Sequence, residues 1–332
     1  MVGAFLRRLY LSWPRVRFYN VDLTPLEALS RMDTSVSPCT APRLPSWLPL
    51  VAAFFALYVV WGSTYLVIRI GIGHWPPLLM AGLRFLIGGT LLLGWLRWRG
   101  APWPTLRETL AAGVIGILLL AVGNGGVTLA EHWGVTSGIA ALSIATVPLF
   151  TLLFGLLWGQ RNTLLEWAGI ALGLVGIALL NLGSTLSATP LGAAVILLAA
   201  AAWAFGSIWS RYLPLPQGAM ASAVEMLVAG AVLLGASYLS GERLQHWPGL
   251  GGWLALGYLV VFGSLIAFSA YLYLLGRVRP AAATSYAYVN PVVAVLLGTL
   301  FVGERIGPAE MLAMLVIVGA VVLIGLPQWR RR

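Results

Sequence analysis

The sequence predicts an all-α polytopic membrane protein, with ten transmembrane helices arranged as two inverted five-helix repeats. Three observations carry that prediction. First, 60% of the 332 residues are apolar and only 9% are charged, where a soluble domain is about 45–50% apolar and about 25% charged; the mean hydropathy is +0.90. Second, the apolar residues fall in unbroken runs of about 20, the length that crosses a bilayer as a helix, and lack the every-second-residue alternation of a membrane barrel. Third, the two halves of the chain resemble each other at a spacing of 144 residues.

Composition excludes several functions at once. A chain this apolar is neither a soluble enzyme nor intrinsically disordered. All 20 basic residues are Arg, so there is no Walker A lysine to hold phosphates and no lysine for a Schiff base. Energy for pumping must come from an ion gradient, a partner or the substrate gradient. Cys39 is the single cysteine, which excludes an internal disulfide and a cysteine zinc site. His74, His132 and His246 fall in loops or at span ends without ligand spacing, so neither a metal nor another cofactor is expected. The net charge of +10 comes from arginines lying between apolar runs. That distribution points to cytoplasmic loops beside a lipid bilayer and not to nucleic acid.

Residues 1–47 read as a disordered cytoplasmic tail, with six arginines and five prolines and no signal-peptide core. Met32 offers an alternative start that would leave residues 1–31 outside the native protein. Ten apolar segments follow, at 48–70, 76–96, 107–129, 135–157, 163–182, 190–212, 217–239, 250–275, 280–301 and 308–326, with prolines punctuating the short connections. The first repeat spans 48–182, the second 190–326, and 327–332 form a basic tail. With the N-terminus inside, 11 loop and tail arginines face the cytoplasm and 3 face outward, which favours both termini inside.

The repeat is written in several matches at one offset. Gly62-Ser63 corresponds to Gly206-Ser207, Gly159-Gln160-Arg161 to Gly303-Glu304-Arg305, and Glu166 to Glu310, while Pro148 and Pro291 are one residue out of step. Five spans per half is an odd number, so the second half enters the membrane upside down. Secondary transporters commonly have this design, with the substrate site near the midplane between the halves.

The run Ser285-Tyr286-Ala287-Tyr288-Val289-Asn290-Pro291-Val292-Val293-Ala294, followed by Gly303-Glu304-Arg305, resembles the ninth-helix signature of the EamA branch of the drug/metabolite transporter superfamily. Trp61-Gly62-Ser63-Thr64-Tyr65, Ala81-Gly82-Leu83-Arg84-Phe85, Gly123-Asn124 and Ala130-Glu131 are similar to the same family, and within it to the YedA-like exporters. The resemblance covers about 48–326. It implies ten helices in two inverted repeats, a central cavity, and export of small metabolites or drugs across the inner membrane.

Ionisable groups inside spans cost about 2.5–3.5 kcal/mol on insertion scales and face a cavity or a partner. Glu225 lies mid-span and reads either as a proton-coupling or cation-binding carboxylate or as a structural partner of Arg84 or a backbone group. Members of the resembled family commonly carry an amide there, which weighs against a family-wide coupling role. Arg84 is too far from its span ends to snorkel easily, and reads as a structural guanidinium or one that binds a substrate carboxylate. Asn124, Thr128 and Glu131 share one stripe of the third span, as a cavity wall or an interhelical seam, and Glu131 is a second coupling candidate. Trp61 and Tyr65, Trp203 and Ser207, Tyr271, and Tyr286 with Asn290 are candidate substrate contacts through stacking and cation–π attraction, or ordinary packing. Gly123, Pro148 and Pro291 are candidate hinges; each proline removes a backbone hydrogen bond and is expected to kink its span.

Together these features predict a secondary transporter, not an enzyme, exporting amino-acid-like or amphipathic compounds by alternating access, with protons as a coupling ion and the protein a monomer or weak homodimer. An uncoupled facilitator is the nearest rival. An intramembrane enzyme is disfavoured because no Asp follows Asp33, and a structural or sensory subunit would have no solvent-lined cavity.

Overall fold

The computed structural model describes residues 47–133, 135, 143–180, 190–302 and 308–329. Both expected tails lie outside them, apart from Trp47 and the last residues of α11, defined below. The described chain is helical throughout, with no strand among the described residues. Helix α1 runs Leu48–Ile72, α2 Pro77–Trp98 and α3 Leu106–His132. Then come α4 Val147–Leu157, α5 Leu164–Leu180, α6 Pro190–Trp209, α7 Ala219–Leu239 and α8 Leu250–Leu275. A short α9, Pro280–Thr284, turns at Ser285 into α10, Tyr286–Val302, and α11 is Pro308–Trp329. Helices α1, α2, α3, α6, α7 and α8 are long and apolar enough to cross a membrane, and α4, α5 and α11 carry shorter apolar stretches.

Local chemistry fixes the helix ends. Thr105 with Glu108 and Thr163 with Glu166 form reciprocal capping pairs at the starts of α3 and α5. Helix α2 begins at Pro76-Pro77 and has no cap of its own. Its exposed Leu78 and Leu79 amides donate to the Glu242 carboxylate at 3.1 and 2.9 Å, which also suits the positive end of the helix dipole. Glu242 reaches them because α7 stops at Gly241, whose φ of 76° strongly favours glycine.

Three helices contain wide π turns, at Ala56–Val60, Ile117–Asn124 and Leu259–Phe268. The second, moved by the 144-residue spacing, falls at 261–268, inside the third. The repeat is therefore visible in backbone irregularity as well as in residues. Two kinks were expected at the prolines. Pro148 instead stands in the first turn of α4, where its missing N–H is harmless, and the helix breaks before it, at Ala145-Thr146. Pro291 lies inside α10, but the break there is at Ser285.

Packing mixes the halves. Helix α1 lies against α8 and α10, and α6 against α3 and α4; α2 packs on α7, and α5 on α11. Counting α9 and α10 as one unit, this pattern is unchanged when the halves are exchanged. Small residues bring the helices close: a Cβ on Gly230 would collide with the backbone of Leu86, and one on Gly116 with the carbonyl of Glu225. The main core sits where α1, α2, α3, α6, α7, α8 and α9 converge, around Leu57, Phe85, Phe268 and Tyr271.

Candidate functional site

Four aromatic rings form the centre of the molecule. Trp61 on α1 meets Tyr286 on α10 at 4.9 Å, Tyr271 on α8 at 5.4 Å and Trp203 on α6 at 5.5 Å between centroids. Trp203 and Tyr286 also meet Tyr271, at 5.4 and 5.6 Å. Their polar atoms are satisfied. Trp61 Nε1 donates to the Gly263 carbonyl at 3.0 Å, within the π turn of α8. Trp203 Nε1 donates to Tyr271 Oη at 3.0 Å, and that oxygen lies 2.5 Å from Ser207 Oγ. Ser207 Oγ donates back to the Trp203 carbonyl, so Tyr271 is left to donate to Ser207 and the circuit closes. Asn290, with its amide nitrogen turned inward, donates to the carbonyls of Tyr286 and Tyr58, which ties α10 to the π turn of α1.

Against this cluster lies a cavity of about 70 Å³, lined by Trp61, Thr64, Arg84, Asn124, Trp203, Tyr286 and Asn290 among apolar side chains. Arg84 is 4% exposed. Its Nε donates to Ser264 Oγ at 2.8 Å, its guanidinium lies 4.9 Å from the Phe85 ring centre, and Gly263 leaves room for it. No carboxylate among the described residues pairs with it. The side-chain carbonyl of Asn124 is buried and accepts no hydrogen bond among the described residues. The cavity thus presents a cation and an unmet acceptor within an aromatic wall.

Eight of the nine anticipated contact residues are placed at or beside this cavity. Trp61, Arg84, Asn124, Trp203, Tyr286 and Asn290 line the cavity, and Tyr271 and Ser207 stand behind Trp203 as its support. The Tyr65 side chain lies outside the described residues. Gly123 also lines the cavity, inside the α3 π turn, and a Cβ there would press on the Trp203 ring. Glu225 is wholly buried, and neither carboxylate oxygen has a hydrogen-bond partner among the described residues. The ion pair with Arg84 does not form. Gly82 abuts Leu234 and Gly89 abuts Leu227, which sets Arg84 and Glu225 about seven residues, or ~10 Å, apart along the antiparallel pair. Glu131 is half-buried, makes contacts of its own, and is not among the cavity residues.

Sequence reasoning missed a second feature, at the end where the α4–α5, α6–α7 and α8–α9 connections meet. There Arg279 Nε and Nη2 grip both oxygens of Glu166, and Nη2 also reaches the Arg161 carbonyl at 3.0 Å. In the sequence Glu166 stands out only as the counterpart of Glu310 in the repeat. The signal available was Thr163-x-x-Glu166, a capping box whose carboxylate has a spare oxygen face, opposite the paired Arg277 and Arg279.

A helical bundle with a polar, aromatic-walled cavity between two repeated halves defines a membrane transporter of the drug/metabolite type. The EamA-like transporter family matches twice, at residues 48–182 and 190–326, and the chain belongs to that family. It is 58% identical over 287 residues to the uncharacterized inner membrane transporter YedA of Escherichia coli (strain K12), covering 86% of this chain and 94% of that one. It is 30% identical over 167 residues to a protein of Salmonella typhimurium (strain LT2) named as a "probable amino-acid metabolite efflux pump", covering 48% of this chain and 52% of that one. A solved crystal structure with 25% identity superposes with a TM-score of 0.70, over 85% of this chain and 98% of the other.

Proposed function

We propose that the protein is a secondary transporter of the inner membrane that exports small organic metabolites bearing a carboxylate, an N–H donor and an apolar body, as amino-acid-like compounds do. The observation that carries this reading is the cavity itself. Arg84 is buried without a carboxylate, and Asn124 has an acceptor unmet. A substrate carboxylate on Arg84 gains charge-assisted hydrogen bonds, a substrate N–H satisfies Asn124, and the body rests on Trp61, Trp203 and Tyr286. The relative named as an amino-acid metabolite efflux pump agrees in substrate class.

The cavity of about 70 Å³ has room for ~2 waters, whereas ligand pockets run to about 300–1,000 Å³. Substrate therefore occupies it only when the bundle opens, as alternating access requires. In this reading ten helices span the bilayer as two inverted repeats at 48–182 and 190–326, both termini are cytoplasmic, and the α4–α5 end faces the cytoplasm. Three layers would then close the inner side: the aromatic cluster, the Tyr58–Ser285 hydrogen bond at 2.7 Å, and the Arg279–Glu166 pair. Pro148, Pro291 and Gly123 lie near helix irregularities where such rocking would be absorbed.

Glu225 is the coupling residue of the proposal. Enclosing an unpaired charge is costly, which links exchange of its proton to opening of the bundle. The test is transport of labelled amino acids and aromatic carboxylates in proteoliposomes, with and without an imposed pH gradient. Gradient-driven accumulation by the wild type, with equilibration alone by Glu225→Gln, is the expected result. Equilibration that ignores the gradient in both proteins would make the protein a facilitator and remove Glu225 from the mechanism.

A further inference from the structure

Beside the Arg279–Glu166 pair lies a second and larger cavity, of about 670 Å³. Arg161, Arg211, Arg277 and Arg279 line it, from three different connections, with Glu166 as the sole acid among its described lining residues. That acid is already held by Arg279, so no acid among the described lining residues is left to oppose Arg161 and Arg211. The charges are also crowded. Partial burial, first, and the nearby charge of Arg279 push the Arg211 pKa down. Arg211 Nη1 donates to the Val278 carbonyl at a long 3.4 Å. Arg277 is spread over the Tyr273 ring at 3.8 Å.

Like charges gathered in a cleft repel one another, and an anion placed among them is attracted by all of them at once. Guanidinium groups present planar, paired donors that match phosphate oxygens. A basic pocket between helix ends at the membrane surface has the chemistry that holds a lipid headgroup phosphate. The volume accommodates a phosphate with part of a glycerol, and the polar rim of Gln160, Asn162 and Tyr212 suits its hydroxyls. The position is independent of the central cavity, and the inference stands whether or not the transport reading does.

We propose that this arginine-lined cleft is a binding site for a phosphate group, supplied either by an anionic phospholipid headgroup or by a soluble phosphate. The test uses the full chain in nanodiscs of phosphatidylcholine, following the thermal unfolding midpoint by tryptophan fluorescence. One arm titrates inorganic phosphate into the bath. The other replaces part of the lipid with phosphatidylglycerol in phosphate-free buffer. A saturable rise of the midpoint in either arm is expected, since a ligand that binds the folded state alone stabilises it, and the responding arm identifies the source. Arg211→Gln should raise the half-saturation concentration ~10-fold, the worth of one charge-assisted hydrogen bond. Arg107→Gln, which removes an exposed charge outside the cleft, should leave it unchanged. If Arg211→Gln does not fold, Arg161→Gln takes its place. No saturable rise in either arm overturns the proposal, and so does an equal effect of the cleft and control substitutions, which would signify net charge alone.

Discussion

Replacing Arg279 by Met removes one partner of a pair whose other member cannot reach water. The Glu166 side chain is 1% exposed and that of Arg279 is 21% exposed. Breaking a buried pair from one side costs about 3–5 kcal/mol, because the remaining charge is left uncompensated. Two features reduce the cost here. Solvent reaches Arg279 on one side, and Glu166 keeps the amide and hydroxyl of Thr163 as donors at 2.7 and 2.9 Å. The expected loss is therefore ~2–3 kcal/mol. The double variant Arg279→Met with Glu166→Leu leaves no buried charge, and its cost should fall to ~1 kcal/mol, the worth of the lost helix cap. The assay is reversible unfolding of the purified protein in mixed micelles by denaturant titration, with both single variants and the double variant. A loss below ~0.5 kcal/mol for Arg279→Met, or singles that simply add, would refute the argument, since coupling of neighbours is what distinguishes a pair from two independent surface charges.

Other outcomes follow from the same geometry. Gly116→Ala forces a methyl group into the Glu225 carbonyl and should destabilise by at least ~2 kcal/mol, whereas Gly94→Ala, with nothing near its Cβ, should be neutral or stabilising by up to ~1 kcal/mol; the same unfolding titration distinguishes them. Arg84→Gln should weaken binding of carboxylate substrates ~10-fold or more while sparing their amide analogues, measured by ligand-induced quenching of tryptophan fluorescence. Tyr271→Phe strips the shared partner from Trp203 and Ser207 and should lower stability by ~1–3 kcal/mol, visible as an earlier unfolding midpoint.

Much of the architecture was legible because bilayer length and proline punctuation are strong signals. The helix from 250 to 275 and the start at Pro190 coincide with the observed α8 and α6. What failed has physical reasons. A proline reads as a kink wherever it falls in an apolar run, but Pro148 occupies a first turn, and the helix break lies just before it, at Ala145-Thr146. An acid and a base inside spans invite pairing, yet depth along two antiparallel helices keeps Glu225 from Arg84, and depth is invisible until the register is known. The aromatic residues could be named from their mid-span positions. Their convergence could not, because Trp61 meets residues more than 140 positions further along.

That last fact bears on how the protein is made. The partners of Trp61 are Trp203, Gly263, Tyr271 and Tyr286, all in the second half of the chain. Helix α1 comes early in the chain, yet its indole N–H finds the Gly263 carbonyl, and the Tyr58 hydroxyl finds Ser285, only when the second half arrives. Until then these groups must be sheltered by lipid headgroups, water or the insertion machinery, since hydrocarbon offers no hydrogen bonds. A chain cut short after the first repeat lacks every one of these partners, and two separately made halves should find each other and assemble.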